Sequence, residues 1–267
     1  MGSNTAAESA TTSTLSPLVQ AETASGLANR AEQPLLTILL PVHNEAENIE
    51  AILTRFYRHV MSGMGAELLV CEDGSTDGSA AVLQTLASRM PMRLVAGGER
   101  KGYAGAVRDG LMQVRTLYAF FADSDGQYDP AEFWRLWSRR DGYDMIIGRK
   151  VKRHEPFYRT ALSRGFHILV KALFGIEFQD IDCGFRLIKD QVIQKVIGSV
   201  RDLPYSFWAE FTILAAQQGY RILEVPVSHH NRMHGSTTIY TPLSLPKILV
   251  RQVKGLVRLR RRIRSAT

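Results

Sequence analysis

Three short polar runs in this chain carry residue types that do chemistry. Asp123-Ser124-Asp125-Gly126-Gln127 sets two carboxylates two positions apart, directly after the apolar run Tyr118–Ala122. Carboxylates at the open end of a buried strand are costly to desolvate unless they meet a cation. Hard oxygen ligands of this kind suit Mg2+ or Mn2+ bridging the phosphates of a nucleotide. The plain alternative is an acidic turn in water, since Asp and Gly favour turns. Glu72-Asp73-Gly74-Ser75-Thr76-Asp77 follows a second apolar run and puts Asp73 where it could accept a hydrogen bond from a base or a ribose. Thr76 or Asp77 would cap the next helix. Pro41-Val42-His43-Asn44-Glu45 ends a third run, and Asn44 or Glu45 has groups to bind a base edge or to cap a helix.

These runs need a scaffold, and the pattern around them supplies one. β-rich stretches occur at Leu35–Pro41, Glu67–Glu72, Arg93–Val95, Tyr118–Ala122, Met145–Ile147 and Ile222–Val227. Stretches with helical spacing lie between the first five, at Ala46–Met61, Ser79–Arg89, Tyr103–Val114 and Pro130–Arg139. Alternation of this kind predicts an α/β fold, with a mostly parallel, Rossmann-like sheet flanked by helices. After Gly148 the alternation gives way to longer helical stretches near Arg159–Phe174 and Tyr205–Gln218. The expected organisation is a disordered arm over 1–33, a nucleotide half over 34–150, an acceptor half over 151–243 and a basic tail over 244–267. In open parallel sheets ligands sit at the carboxyl ends of the strands, which is where all three polar runs fall.

Other candidates are weaker. Gly102, Gly105 and Gly110 do not spell a dinucleotide fingerprint and follow Arg100-Lys101 instead of a strand, so they read as sites of close helix packing. The seven histidines show no metal-ligand spacing.

Taken together, the three runs resemble glycosyltransferase family 2 in order and approximate spacing. The resemblance continues through Ile147-Gly148-Arg149, Asp182-Cys183-Gly184-Phe185-Arg186 and Arg232-Met233-His234-Gly235-Ser236, and is strongest to the dolichyl-phosphate mannosyltransferase and polyprenyl-phosphate glycosyltransferase branch. It implies a GT-A fold, a GDP- or UDP-linked sugar donor, a divalent metal and inversion at the anomeric carbon. Pro41, Val42, Asn44, Glu45, Asp73, Asp123 and Ser124 would then hold the nucleotide, and Asp123, Asp125 and Gln127 the metal. Arg149, Arg186, Arg232 and Ser236 would face phosphates, with Asp125, Arg149 and Asp182 catalytic. Thr237-Thr238 replaces the Lys often found after the last Ser, and the Gln-x-x-Arg-Trp motif of processive synthases is missing, which argues for single transfer.

The chemistry of the acceptor points the same way. A sugar hydroxyl must lose a proton during attack and needs a positioned base, for which Asp180 and Asp182 are the candidates. A phosphomonoester, with a second pKa of about 6, arrives ionised and needs positive groups instead. Lys150, Lys152, Arg153, Arg159, Arg164 and Lys171 supply them, any one of which fits a solvated face better, whereas Arg149 after a strand and Arg186 in the Gly-Phe-Arg motif stand above that reading.

Charge separates body from tail. The chain has 33 Lys and Arg against 26 acids. Eight of the basic residues lie from Lys247 onward, so the body is nearly neutral and offers no groove for nucleic acid. At 100° per residue, Lys247, Arg251, Lys254, Arg258, Arg261 and Arg262 share one side of a helix, and Leu249, Val253, Leu256, Val257, Leu259 and Ile263 fall broadly on the other, with Arg260 and Arg264 as exceptions. Such a basic amphipathic helix suits an anionic membrane surface; the alternative is a helix docked on its own domain. No run is long enough to span a bilayer, and Cys71 and Cys183 read as reduced thiols. A protein peripheral to the cytoplasmic face of the membrane is expected. The competing readings are a soluble transferase acting on a hydroxyl and a nucleotidyltransferase, which would want a Gly-rich basic loop where Pro41–Glu45 stands.

Overall fold

The computed structural model describes residues 34–151, 157–230 and 245–266. The expected N-terminal arm therefore lies outside the described residues, as do Arg232 and Ser236.

Seven strands form one sheet: β1 (Leu36–Val42), β2 (Ala66–Glu72), β3 (Arg93–Ala96), β4 (Tyr118–Ala122), β5 (Met145–Val151), β6 (Phe185–Lys189) and β7 (Ile222–Ser228). Their order is β3-β2-β1-β4-β6-β5-β7. The pairs β1–β2, β1–β4, β2–β3 and β5–β7 are parallel, and β6 runs antiparallel to both β4 and β5. Every residue of β1 is buried, as expected of a central strand covered on both faces.

The helices are α1 (Ile49–His59), α2 (Ser79–Ala87), α3 (Tyr103–Met112), α4 (Phe133–Trp137), α5 (Phe157–Phe174), α6 (Asp190–Val196), α7 (Phe207–Gln217) and α8 (Leu245–Ala266). α1 buries Ile49, Ile52, Leu53 and Phe56, one stripe at helical spacing. Its start falls later than the periodicity predicts. Asn44 adopts a left-handed backbone with φ 55°, and Asn48 and Ile49 both donate to the Glu45 carbonyl, so a turn precedes the helix. The expected helix over Pro130–Arg139 is a 3-10 turn at Pro130–Glu132 followed by short α4.

Strand β6 and helix α6 are absent from the sequence expectation. β6 joins the two halves into one sheet by pairing Ala122 with Phe185 on one side and Ile147 with Arg186 on the other. Because it runs against its neighbours, its first residue lies at the edge where β4 and β5 end. Residues 180–184 are thereby delivered to that edge.

α8 is docked on the domain. Ile248, Gln252, Leu256 and Leu259 are buried. Gly255 brings the helix against the chain at Asp202, where a Cβ would lie 2.4 Å from the Asp202 carbonyl oxygen. Arg262 pairs with Asp202 at 2.8 Å and with fully buried Glu210 at 3.1 Å, and Gln252 Nε2 donates to Ser206 Oγ. The apolar side is thus divided. Leu256 and Leu259 face the protein core, whereas Leu249, Val253 and Val257 remain exposed and are joined by Val250.

Candidate active site

The carboxyl ends of β1, β2 and β4 and the start of β6 gather the three polar runs. At the end of β1, Asn44 and Glu45 brace a neighbouring loop. Asn44 Oδ1 accepts the Thr76 N–H at 2.9 Å, the Asn44 N–H donates to Ser75 Oγ, and the Glu45 N–H donates to Ser79 Oγ at 2.8 Å. Glu45 is buried and accepts from Asn48 Nδ2 at 3.0 Å. Pro41 takes part through its carbonyl, which accepts the Ser124 hydroxyl, and buried Val42 accepts the Asp73 N–H.

After β2, Asp73 is 4% exposed, and one carboxylate oxygen accepts the Lys101 N–H at 2.7 Å. Gly74 is in the left-handed region at φ +61°, and a Cβ there would lie 2.7 Å from the Arg100 nitrogen, so this turn requires glycine.

After β4 come Asp123 and Asp125. The Asp123 N–H donates to the Gly184 carbonyl at 3.0 Å, and its Oδ1 accepts the Tyr103 hydroxyl at 2.9 Å. A Cβ on Gly184 would fall 1.8 Å from Asp123 Oδ2, so glycine is what gives that carboxylate its place. Enclosure away from water, reinforced by the Asp125 charge, pushes the Asp123 carboxyl above the usual range, against the pull of the Tyr103 hydrogen bond and Lys150. Asp125 Oδ1 accepts the Gln127 N–H at 3.1 Å. The Gln127 amide is turned elsewhere: its Nε2 donates to the His230 carbonyl and ties this loop to the end of β7.

The β6 side brings Asp180 and Asp182. Asp180 is buried, accepts the Lys150 N–H at 3.0 Å and pairs with Lys150 Nζ at 3.6 Å. Asp182 is exposed and accepts the Ala209 N–H in the first turn of α7. The walls around its carboxyl push it up to about 6, although Arg186 and Lys150 favour its charge.

The arginines divide. Arg149, at the end of β5, is half-buried with Nη1 donating to Gln179 Oε1 at 3.1 Å. Arg186 is fully buried instead of facing a phosphate. Its guanidinium donates to the Cys183 and Ile181 carbonyls and to Thr212 Oγ1, and lies 4.1 Å from the Trp208 ring centre. Position two of a strand between β4 and β5 points into packed protein, and an unrecognised strand hid that from sequence reasoning. Tyr103 and Trp208 also lay outside the sequence expectation, because residues 105 positions apart show no shared pattern.

Acidic loops gathered at the carboxyl edge of a mostly parallel sheet stand where such sheets bind their ligands. The chain belongs to glycosyl transferase family 2, whose model matches residues 37–197, and is a glycosyltransferase. It is 29% identical over 210 residues to polyprenol monophosphomannose synthase of Mycolicibacterium smegmatis, covering 74% of this chain and 78% of that protein. It is 28% identical over 206 residues to undecaprenyl-phosphate 4-deoxy-4-formamido-L-arabinose transferase of Edwardsiella ictaluri, covering 76% of this chain and 62% of that protein. Among solved structures it is similar to glucosyl-3-phosphoglycerate synthase from Mycobacterium tuberculosis in complex with Mn2+, UDP and phosphoglyceric acid. That likeness has a TM-score of 0.61 at 19% identity and covers 88% of this chain and 82% of that one, which shows the GT-A fold.

Proposed function

We propose that this enzyme moves a single sugar from a GDP- or UDP-linked donor to a polyprenyl phosphate, with inversion at the anomeric carbon. The observation that carries the reading is the Asp123–Asp125 pair at the end of β4, where enclosure and mutual repulsion disfavour the charged state unless a cation is present. A divalent metal fits this donor set. Among the described residues no three His, Cys, Asp or Glu side chains form a ready cage. Two carboxylates with phosphate oxygens and water completing the shell is how Mg2+ and Mn2+ are commonly bound beside nucleotides. When bound, the ion stabilises charge developing on the leaving diphosphate.

The chain's own residues do the rest. Asp73 would bind the nucleoside, beside the loop that Asn44 and Glu45 hold in shape. Arg149 and Lys150 stand at the end of β5, where an acceptor phosphate would be drawn in. Its oxygen attacks the anomeric carbon, the bond from that carbon to the diphosphate oxygen breaks, and the nucleoside diphosphate departs with the electron pair. The relatives' polyprenyl-phosphate substrates support this acceptor. Peripheral attachment at the cytoplasmic face of the membrane belongs to the same reading and is supported by the exposed apolar and basic residues of α8.

A second reading, a hydroxyl acceptor, is favoured by Asp182, whose carboxyl at about 6 is closer to neutrality than an ordinary aspartate and so a better base. One assay separates the two. UDP- and GDP-sugars are supplied with Mn2+ or Mg2+, and nucleotide release is followed with a short polyprenyl phosphate or the matching alcohol. Stimulation by the phosphate alone is expected; stimulation by the alcohol would transfer the assignment to the second reading. Asp125→Asn should cut turnover about 100-fold or more while the protein stays folded, and near-normal turnover would remove the metal site.

A further inference from the structure

Asp123 is held from outside the acidic loop. Tyr103, the first residue of α3, donates its hydroxyl proton to Asp123 Oδ1 at 2.9 Å, and Trp208 of α7 donates its indole N–H to the Tyr103 oxygen at 2.9 Å. An indole N–H only donates, and a phenol has a single proton to give. With Asp123 ionised the direction of the chain is set: Trp208 donates to the tyrosine oxygen, and the tyrosine proton goes to the carboxylate. Phe121, two residues before Asp123, braces both partners, with its ring 6.4 Å from Tyr103 edge-on and 4.5 Å from Trp208. Trp208 is 1% exposed, and Arg186 covers its ring at 4.1 Å, so the indole has little room to turn. On the other side of the carboxylate, Oδ2 lies against the bare α-carbon of Gly184.

We propose that Tyr103 and Trp208 are positioning residues for the donor's diphosphate, fixing the Asp123 carboxylate between the tyrosine hydroxyl and Gly184 in the orientation that receives the metal and its phosphates. The inference rests on the reading of Asp123 as a metal-binding residue. Groups that orient a first ligand commonly matter about 10- to 100-fold in metal affinity.

The test is direct binding of Mn2+ in the presence of UDP or GDP, followed by calorimetry and by the Mn2+ paramagnetic resonance signal, in the full chain. Tyr103→Phe keeps the ring against Phe121 and removes only the hydroxyl; it should weaken Mn2+ binding about tenfold or more. Trp208→Phe should weaken it less and in the same direction. In the Tyr103→Phe background it should add almost nothing, because the link it acts through is already gone. Unchanged Mn2+ affinity in Tyr103→Phe, whatever its melting temperature, overturns the proposal, as do additive effects in the double variant. Should Trp208→Phe fail to fold, Tyr103→Phe alone decides. Wild-type protein that binds no Mn2+ with either nucleotide would instead overturn the metal reading itself, a result distinct from equal binding by wild type and variant.

Discussion

At the scale of single residues, the charge of the Asp123–Asp125 pair makes stability and metal binding depend on pH in opposite senses. The folded state raises the Asp123 carboxyl above its ordinary value of 3.8. Folded protein therefore holds this proton to higher pH than unfolded protein does, and metal-free stability falls as pH rises through that window. A divalent ion binds the ionised folded form, so its stabilisation grows over the same range. The expected result is a melting temperature of metal-free protein that drops from about pH 5 to about pH 8 by more in wild type than in Asp125→Asn. Added Mn2+ should raise the wild-type value more at the higher pH. Parallel profiles for the two proteins, with a metal effect independent of pH, would mean the pair is not strained by its own charge.

At the scale of elements, β6 decides what Arg186 does. The fully buried guanidinium serves the Cys183 and Ile181 carbonyls and Thr212, tying the turn before β6 to α7. Arg186→Ala would leave a cavity and buried carbonyls short of donors, costing about 3 kcal/mol or more. Denaturant unfolding should show that loss. A variant of wild-type stability with a weakened KM for the phosphate acceptor would return Arg186 to the substrate. This element also explains what was legible in the sequence. β1, β2 and β4 are apolar runs that end in polar loops, so the strands and the place of Asp73, Asp123 and Asp125 just after them could be read from pattern, while the roles proposed for these residues rest on the family resemblance. β6 reads Phe-Arg-Leu-Ile-Lys, with a charged residue in its buried stretch and no alternation, so its pattern resembles neither a surface strand nor a core one. Asn44, Glu45 and Gln127 could be placed after their strands, but their bonding across loops depends on contacts that local spacing does not encode. The Tyr103–Trp208 link has the same origin: it exists only once α3 and α7 meet at the edge of the sheet.

At the scale of the whole molecule, α8 has two faces with different tasks. Leu256 and Leu259 complete the core, and Arg262 faces Asp202 and Glu210, so deleting the helix would uncover apolar surface and strip buried acids of their cation. A truncated protein that binds vesicles poorly would therefore say little about lipid. The outward face can be altered without touching the core. Leu249, Val250, Val253 and Val257 are 38–53% exposed, and Lys247, Arg251, Lys254, Arg258 and Arg261 are exposed beside them. No helix among the described residues is long and apolar enough to cross a membrane. Contact through this face would combine partial burial of the valines with attraction of about 1 kcal/mol per basic residue to anionic lipid. Val253→Glu with Val257→Glu should leave the melting temperature within a few degrees of wild type, because neither side chain is buried. Co-sedimentation with anionic vesicles should fall sharply. In wild type it should weaken with salt, since charges are screened beyond about 8 Å at physiological ionic strength. Transfer to a polyprenyl phosphate embedded in those vesicles should slow in the double variant, while transfer to a short acceptor in water is unchanged. If both rates are untouched and vesicle binding persists, the outer face of α8 is a solvated surface, and the enzyme meets its lipid through another part of the molecule.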